Sequence, residues 1–108
     1  MNNPKPKKFR VKMLSRRSLA LREFITIVDE DDASLLRSYY WYIINGTQSL
    51  SGKNNSYVAR NTPNGVEYLH QVVVGAKPGE LVQHINGNSL DNRKANLLKA
   101  SNRVEEIE

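Results

Sequence analysis

Short runs of apolar and aromatic residues, each closed by a turn signal, constrain the fold of this chain most strongly. The run at 23–28 (EFITIV) alternates apolar and polar residues, which predicts a strand, and 39–44 (YYWYII) predicts a second. Two further strand-like runs, 56–60 and 66–74, flank Asn64-Gly65, a pair that suits the positive φ angles of a hairpin turn. With 108 residues, the chain is expected to form one domain with a modest core.

Helical signals are fewer and shorter than the strand signals. The acid-rich stretch DEDD precedes helix formers without Gly or Pro, which predicts a short helix from about Asp31 to Tyr39. Near the C-terminus, 81–84 (LVQH) predicts an extended piece, and Asp91 can cap a helix running through 92–100. The final residues, 101–108, can begin another turn of helix. These elements together predict an α+β fold.

Positive charge is concentrated at the N-terminus. The formal net charge is +5, and residues 1–22 hold eight of the sixteen Lys and Arg residues and no acid. The eight are Lys5, Lys7, Lys8, Arg10, Lys12, Arg16, Arg17 and Arg22. With two prolines among its first six residues, this arm is expected to be disordered by itself, although some strand pairing stays open from Phe9 onward. Its charge predicts contact with a polyanion such as a nucleic acid. The alternative is a solvated tail that only aids solubility.

Composition excludes several classes of protein. The chain has no cysteine, which excludes disulfides and Cys-based zinc sites and agrees with a reducing compartment. No apolar run approaches the ~18 residues of a membrane span. The basic first twenty residues lack the apolar stretch of a signal peptide. We therefore expect a cytoplasmic protein with no membrane partner.

The C-terminal third carries the residues with chemical potential. It contains both histidines, His70 and His84, and a candidate helix with Asn96. A neutral imidazole can take a proton from water near physiological pH, and a divalent ion can stabilise charge on a phosphate. This combination suits phosphodiester hydrolysis, although two histidines in a chain of this size are more often structural or exposed.

A family resemblance gives this combination a more specific meaning. Residues 69–101 (LHQVVVGAKPGELVQHINGNSLDNRKANLLKAS) resemble the core of phage and intron-type HNH homing endonucleases, and the similarity extends upstream to about residue 24. The resemblance implies a ββα-metal (His-Me finger) core over 66–108, a small antiparallel β extension with a short helix over 23–65, and the arm over 1–22. It also implies a phage or mobile-element origin in a bacterial host.

The resemblance assigns roles to the two histidines and to Asn96. It implies that His84 is the general base, that Asn96 supports the site, and that His70 is the first histidine of the family name. Asn86, Gly87, Asn88, Asp91 and Asn92 match the family's turn and helix start. Their residue types also suit purely structural turns and caps.

The departures from the family pattern fall at the implied metal site. Gln83 stands where the family has a metal-binding aspartate, Glu105 aligns with the second ligand, and Gln71 replaces an arginine. A neutral amide is a weaker ligand for Mg²⁺ than a carboxylate, so cleavage is expected to be impaired. Glu105 can equally pair with Asn102 as a helix cap.

Three functions remain open at this stage. The first is a DNA-binding protein derived from an HNH endonuclease, and the second is an active, Mg²⁺-dependent endonuclease. The third is a protein-interaction module or nuclease inhibitor on the same scaffold, and a homodimer or another protein partner stays open. For the first two we expect phosphate contacts from the arm and from Arg60, Arg93 and Lys94.

Overall fold

The computed structural model describes residues 5–14, 21–45, 56–77, 80–101 and 107. These residues form a small α+β structure built mostly from antiparallel strands. The strands are β1 (Pro6–Leu14), β2 (Leu21–Asp29), β3 (Tyr42–Asn45), β4 (Ser56–Thr62), β5 (Gly65–Tyr68), β6 (Glu80–His84) and β7 (Leu97–Ser101). The helices are α1 (Ala33–Ser38) and α2 (Leu69–Val73), and short 3-10 turns cover Glu30–Asp32 and Lys94–Asn96.

The strands pair into three small antiparallel sheets. β1 pairs with β2, β3 with β4 and β4 with β5, and β6 with β7. The predicted β4–β5 hairpin is confirmed, with Thr62 facing Gly65 in the register and Gly65 at a φ of 118°. That angle lies in the region that glycine occupies more readily than other residues, so this position favours Gly65.

The N-terminal arm is not disordered over residues 6–14, which corrects the expectation from the sequence. These residues form β1, in register with β2 from the pair Pro6–Asp29 to the pair Leu14–Leu21. Val11 is buried with only 4% exposure, and the cations beside it point outwards, so the alternation supplies enough burial to order the strand. Arg16 and Arg17 lie outside the described residues.

One hydrophobic cluster joins elements along the whole chain. It contains Val11, Val28, Trp41, Ile43, Val58, Leu69, Val73, Leu90 and Leu97, so every sheet contributes to it. The indole N–H of Trp41 donates to the carbonyl of Leu35 over 2.7 Å, which fixes the start of β3 against α1. Burial of these side chains stabilises the fold by roughly 1.5–3 kcal/mol for each large residue.

Two predicted elements have a different structure. The run 66–74 is a strand only to Tyr68 and then becomes α2, because Leu69 and Val73, four residues apart, bury the same helical face. The helix predicted over 92–100 is replaced by the 3-10 turn and β7, in which Leu97 is buried and Leu98 is exposed. Pairing with β6 imposes that alternation.

The remaining predictions divide between confirmed elements and undescribed residues. The strand at 23–28 lies within β2, the helix at Asp31–Tyr39 corresponds to a 3-10 turn followed by α1, and the run 39–44 becomes strand from Tyr42. The turn of helix expected within 101–108 falls mostly on residues outside the described part. No helix in the described part of the chain is long and apolar enough to cross a membrane.

Candidate functional site

His84 stands at the end of β6, where the chain enters a loop of residues 85–93, here called the His84 loop. The loop is fixed to β2 through Ile27, whose N–H donates to Leu90 over 2.9 Å and whose carbonyl accepts from the N–H of Asn92 over 2.7 Å. The loop therefore rests on a core strand by its backbone.

The first half of the loop is a set of side-chain turns. The Asn86 side-chain oxygen accepts from the N–H of Asn88 over 2.8 Å, and the Asn88 oxygen accepts from Leu90 over 3.0 Å. Gly87 between them has a φ of 76°. The prediction that Asn86, Gly87 and Asn88 supply a tight turn is confirmed, since short polar side chains here replace backbone partners.

Asn96 closes the loop from its far end. Its amide group donates to the side-chain oxygen of Asn86 and to the carbonyl of Asp91, each over 2.9 Å. Its own oxygen accepts from the N–H of Asn86 over 2.9 Å. The side chain is 6% exposed, so these contacts are protected from water and hold the two ends of the loop together.

A chain of hydrogen bonds connects His84 to β2. His84 Nε2 lies 2.9 Å from Asn92 Oδ1, and Asn92 Nδ2 donates to Thr26 Oγ1 over 2.9 Å. The Thr26 hydroxyl donates to the carbonyl of Leu90 over 2.7 Å. Asn92 and Thr26 are 1% and 0% exposed, so water does not compete for these groups. Asn92 was expected to help cap a helix, and instead it contacts the histidine.

The direction of this chain fixes the tautomer of His84. A carbonyl only accepts, so Thr26 must donate to Leu90 and accept from the Asn92 amide. The Asn92 oxygen then faces His84 and accepts from Nε2–H. In the neutral ring the proton is therefore on Nε2, and Nδ1, which has no hydrogen-bond partner among the described residues, carries a lone pair that can accept a proton.

The structure brings the two predicted histidines together. The ring centroids of His70, on α2, and His84 are 5.0 Å apart, and the ring of Tyr57 lies 5.7 Å and 6.3 Å from them respectively. The pKa of His70 is lowered from 6.5 to about 4. Burial is the larger cause, and the charge of His84 adds to it. His70 is therefore neutral at physiological pH and acts as packing beside His84.

The lowered pKa of His70 predicts a loss of stability in acid. Below about pH 6.5 the unfolded chain binds a proton that the folded chain does not bind until about pH 4, so unfolding becomes more favourable as the pH falls through this window. Between pH 7 and pH 4 we expect a loss of about 3 kcal/mol in the free energy of unfolding relative to His70→Phe, measured by denaturant titration. A constant difference between the two proteins from pH 7 to pH 4 would contradict this assignment.

Of the two implied metal ligands, only Gln83 lies in the part of the chain that the structure describes. Gln83 is exposed and His84 half-buried, as expected for neighbours that point to opposite faces of β6, and Glu105 lies outside the described residues. Among the described residues, no group of three His, Cys, Asp or Glu side chains could hold a metal ion. A single neutral amide does not fit a Mg²⁺ site, because this hard cation prefers carboxylate oxygens.

Two cations near the loop are engaged in ion pairs. Arg93 donates to both carboxylate oxygens of Asp91 over 2.8 Å and 2.7 Å, and this hydrogen bonding lowers the pKa of the buried Asp91. The expected helix cap at Asp91 is thus replaced by a pair with Arg93. Lys94 pairs with Asp32, and its backbone N–H donates to Asp29 over 3.0 Å. The Arg93–Asp91 pair therefore lies within the loop, whereas Lys94 ties the end of the loop to Asp29 and Asp32.

The remaining predicted cations differ in their freedom. Arg60 on β4 pairs with Glu67 over 2.8 Å, whereas Lys8, Arg10 and Lys12 are exposed on the outer face of β1. Lys7 lies on the opposite, half-buried face. Lys5 is exposed immediately before the strand. Among the described residues of the arm, three of the exposed cations therefore form one row on β1, here called the cation row (Lys8, Arg10 and Lys12).

Comparisons with known proteins add no relative to this geometry. No protein-family model matches the chain. No curated protein and no solved structure shows significant similarity to it. The resemblance to HNH endonucleases therefore rests on the motif residues alone.

Sequence reasoning missed Thr26 as part of the site. Its position offered one signal, because it is the polar member of an apolar face formed with Phe24 and Val28. A buried hydroxyl requires a partner, and that partner proved to be 66 residues away. No local pattern could identify it.

Proposed function

We propose that this protein binds DNA on an HNH-like scaffold whose cleavage centre is impaired at Gln83. The cation row carries this proposal. Alternate residues of a strand are ~6.7 Å apart, or about two phosphate rises along one DNA strand. Three exposed cations at that spacing, on a rigid hairpin, suit a phosphate backbone better than a flexible tail does.

Within the described structure, Glu23 on β2 is an acid beside the row. It faces Lys12 in the strand register, and its carboxylate lies 3.9 Å from Arg10 with both side chains more than half exposed. An exposed pair of this kind contributes little stability and exchanges readily for a phosphate contact. Arg60, Arg93 and Lys94, in contrast, already have intramolecular partners.

The proposed HNH scaffold draws support from β6, the His84 loop and β7. These elements supply two antiparallel strands with His84 at the loop entrance, and the helix of a ββα unit would have to follow β7, beyond the described strands. Gln83 and His84 are consecutive residues of β6, and their side chains point to opposite faces of the strand. The amide at position 83 is the weak element of this arrangement.

Active hydrolysis is a second candidate because of the His84 tautomer. Nε2 is tethered to Asn92, and the free Nδ1 is the nitrogen that could take a proton from water. In this proposal His84 supplies the general base of a phosphodiesterase centre. What the centre lacks is the carboxylate ligand for the metal ion at position 83.

The cation row is tested by the salt dependence of DNA binding. We expect Lys8→Ala/Arg10→Ala/Lys12→Ala to reduce the slope of log K against log salt by about two to three, because each lost phosphate contact removes ~0.9. Substitution is preferable to deletion, since removing β1 would also remove the buried Val11. Fluorescence anisotropy on one duplex at several salt concentrations provides the measurement.

A matched triple variant separates position from net charge. Arg37→Ala/Lys77→Ala/Lys99→Ala removes the same charge from α1, the residues after α2, and β7. The slope of log K against log salt for this variant should stay near that of the parent. Equal reductions in both triple variants would mean that DNA responds to total charge and not to the cation row.

A further inference from the structure

Tyr40 is the most exposed large aromatic residue among the described residues. It lies between α1 and β3 with 83% exposure, and Tyr39 beside it is 48% exposed. Two cavities of about 210 Å³ each open on either side of these rings. Aromatic rings of this size are usually more buried, so the pair forms an exposed aromatic surface that a ligand could cover.

The first cavity, here called the Tyr40 cavity, has an apolar floor and a charged rim. Phe9, Leu36 and Trp41 line it together with Tyr39, Tyr40 and Arg10. Trp41 is 8% exposed and its indole N–H is bonded to Leu35, so the floor is fixed before any ligand arrives. Arg10, in contrast, has an exposed side chain.

Tyr39 is also held in place, by a different set of contacts. The Arg60 guanidinium lies 4.0 Å from the centre of the Tyr39 ring, and Glu67 binds that guanidinium over 2.8 Å and 3.0 Å. One partner of Tyr39 is therefore already supplied by the protein. Tyr40 has no such contact among the described residues and remains available for stacking.

We propose that the Tyr40 cavity binds an unpaired nucleobase of a DNA strand whose phosphates lie along the cation row. Arg10 lines the cavity and also belongs to the cation row, so the two features meet at this residue of β1. This inference rests on the proposed DNA binding and adds a preference for DNA with a base outside the helical stack.

The chemistry of the cavity favours a base over an apolar peptide side chain. Bases present π-faces, which stack on tyrosine rings whatever their sequence, and each base is attached to a phosphate that Arg10 can contact. A purely apolar ligand would gain nothing from Arg10 at the rim. A base outside the stack also costs least to bind when the duplex already contains a bulge or mismatch.

Two duplexes that differ by one bulged 2-aminopurine test the proposal, with the full chain at fixed salt. The parent should bind the bulged duplex about tenfold more tightly than the paired one and should quench the 2-aminopurine fluorescence. Tyr40→Ala should lose that preference and the quenching, while Tyr40→Phe, which keeps the ring, should retain both. The affinity for the paired duplex should be unchanged in both variants.

The outcomes separate this proposal from the proposed function. If the parent binds both duplexes equally and Tyr40→Ala changes neither affinity, the stacking role is wrong and DNA binding stands. If neither duplex binds, the proposed function fails, and this inference with it. If Tyr40→Leu retains the full preference, the cavity recognises apolar surface, as a protein contact does, and the proposal is overturned.

Discussion

Replacing Gln83 with aspartate is expected to raise the rate of DNA nicking in magnesium by about a hundredfold over the parent. The substitution puts a carboxylate, the ligand that Mg²⁺ prefers, at the residue before His84 in the sequence. The ring of His84 is held at Nε2 by Asn92, which leaves Nδ1 to act as the base. Metal stabilisation of phosphate charge contributes several kcal/mol, and about 1.4 kcal/mol corresponds to a factor of ten in rate. Conversion of supercoiled plasmid to the open circle measures the rate.

Two further variants make this result specific. Gln83→Asp/His84→Ala should return to the background rate, because no base then remains, whereas Gln83→Asn keeps a neutral amide and should not gain activity. His84→Ala alone should bind DNA nearly as the parent does, since binding depends on many cations. A parent that already nicks as fast as Gln83→Asp, in a reaction that His84→Ala stops, would show that the centre is not impaired.

The absence of any gain in Gln83→Asp would have a defined meaning. Glu105 aligns with the second ligand of the family, so Gln83→Asp/Glu105→Asn restores both implied ligands. Activity in the double variant alone would identify Glu105 as a second lesion. Inactivity of both variants, with DNA binding intact, would remove the HNH reading of the site and leave the binding function.

Replacing Asn92 with alanine is expected to lower the free energy of unfolding by about 2–3 kcal/mol and to change the tautomer of His84. The side chain makes two hydrogen bonds at 1% exposure, and the groups left behind would be buried without full partners. Without the Asn92 oxygen, nothing in this chain of contacts keeps the proton on Nε2. Denaturant titration measures the stability, and long-range ¹H–¹⁵N NMR at about pH 8 measures the tautomer.

A loop residue that makes only local contacts is the matched control. Asn88→Ala removes the hydrogen bond that the Asn88 side-chain oxygen accepts from the N–H of Leu90, but no contact to the ring, so the tautomer of His84 should not change. Thr26→Val keeps the volume and removes the hydroxyl that orients Asn92, and it should loosen the preference for Nε2–H. Finding the proton on Nδ1 in the parent would contradict the direction assigned to the whole hydrogen-bond chain.

Local signals predicted the elements whose partners are close in sequence. The β4–β5 hairpin has its turn chemistry at Asn64 and Gly65, and β2 has a clear alternation. β1 has the same alternation, but prolines and lysines pointed to disorder, and only its pairing with β2 supplies the burial that orders it. α2 and β7 were mispredicted because burial of Leu69 and pairing of Leu97 with His84 override local preference.

In the candidate site, too, contacts between residues close in sequence could be predicted and contacts between distant residues could not. The turn at Asn86, Gly87 and Asn88 agrees with the prediction from these residue types, and the two histidines that the motif singled out lie next to each other in the structure. The contact between Asn92 and Thr26 could not be predicted, because it joins residues 66 positions apart and depends on the loop resting on β2. Sequence patterns therefore named the chemical groups, and tertiary structure decided which atoms are free to react.

The position of Thr26 makes one strand responsible for two properties. Thr26 faces inwards towards the loop from β2, while the partner strand β1 carries the cation row on the outer face of the same hairpin. The β1–β2 hairpin and the His84 loop should therefore unfold as one cooperative unit. Their backbone amides should show similar protection from hydrogen exchange. A mutation that locally unfolds this hairpin would therefore weaken the proposed DNA binding and release the ring of His84 at the same time. Local unfolding cannot remove the binding and leave the histidine in its fixed position.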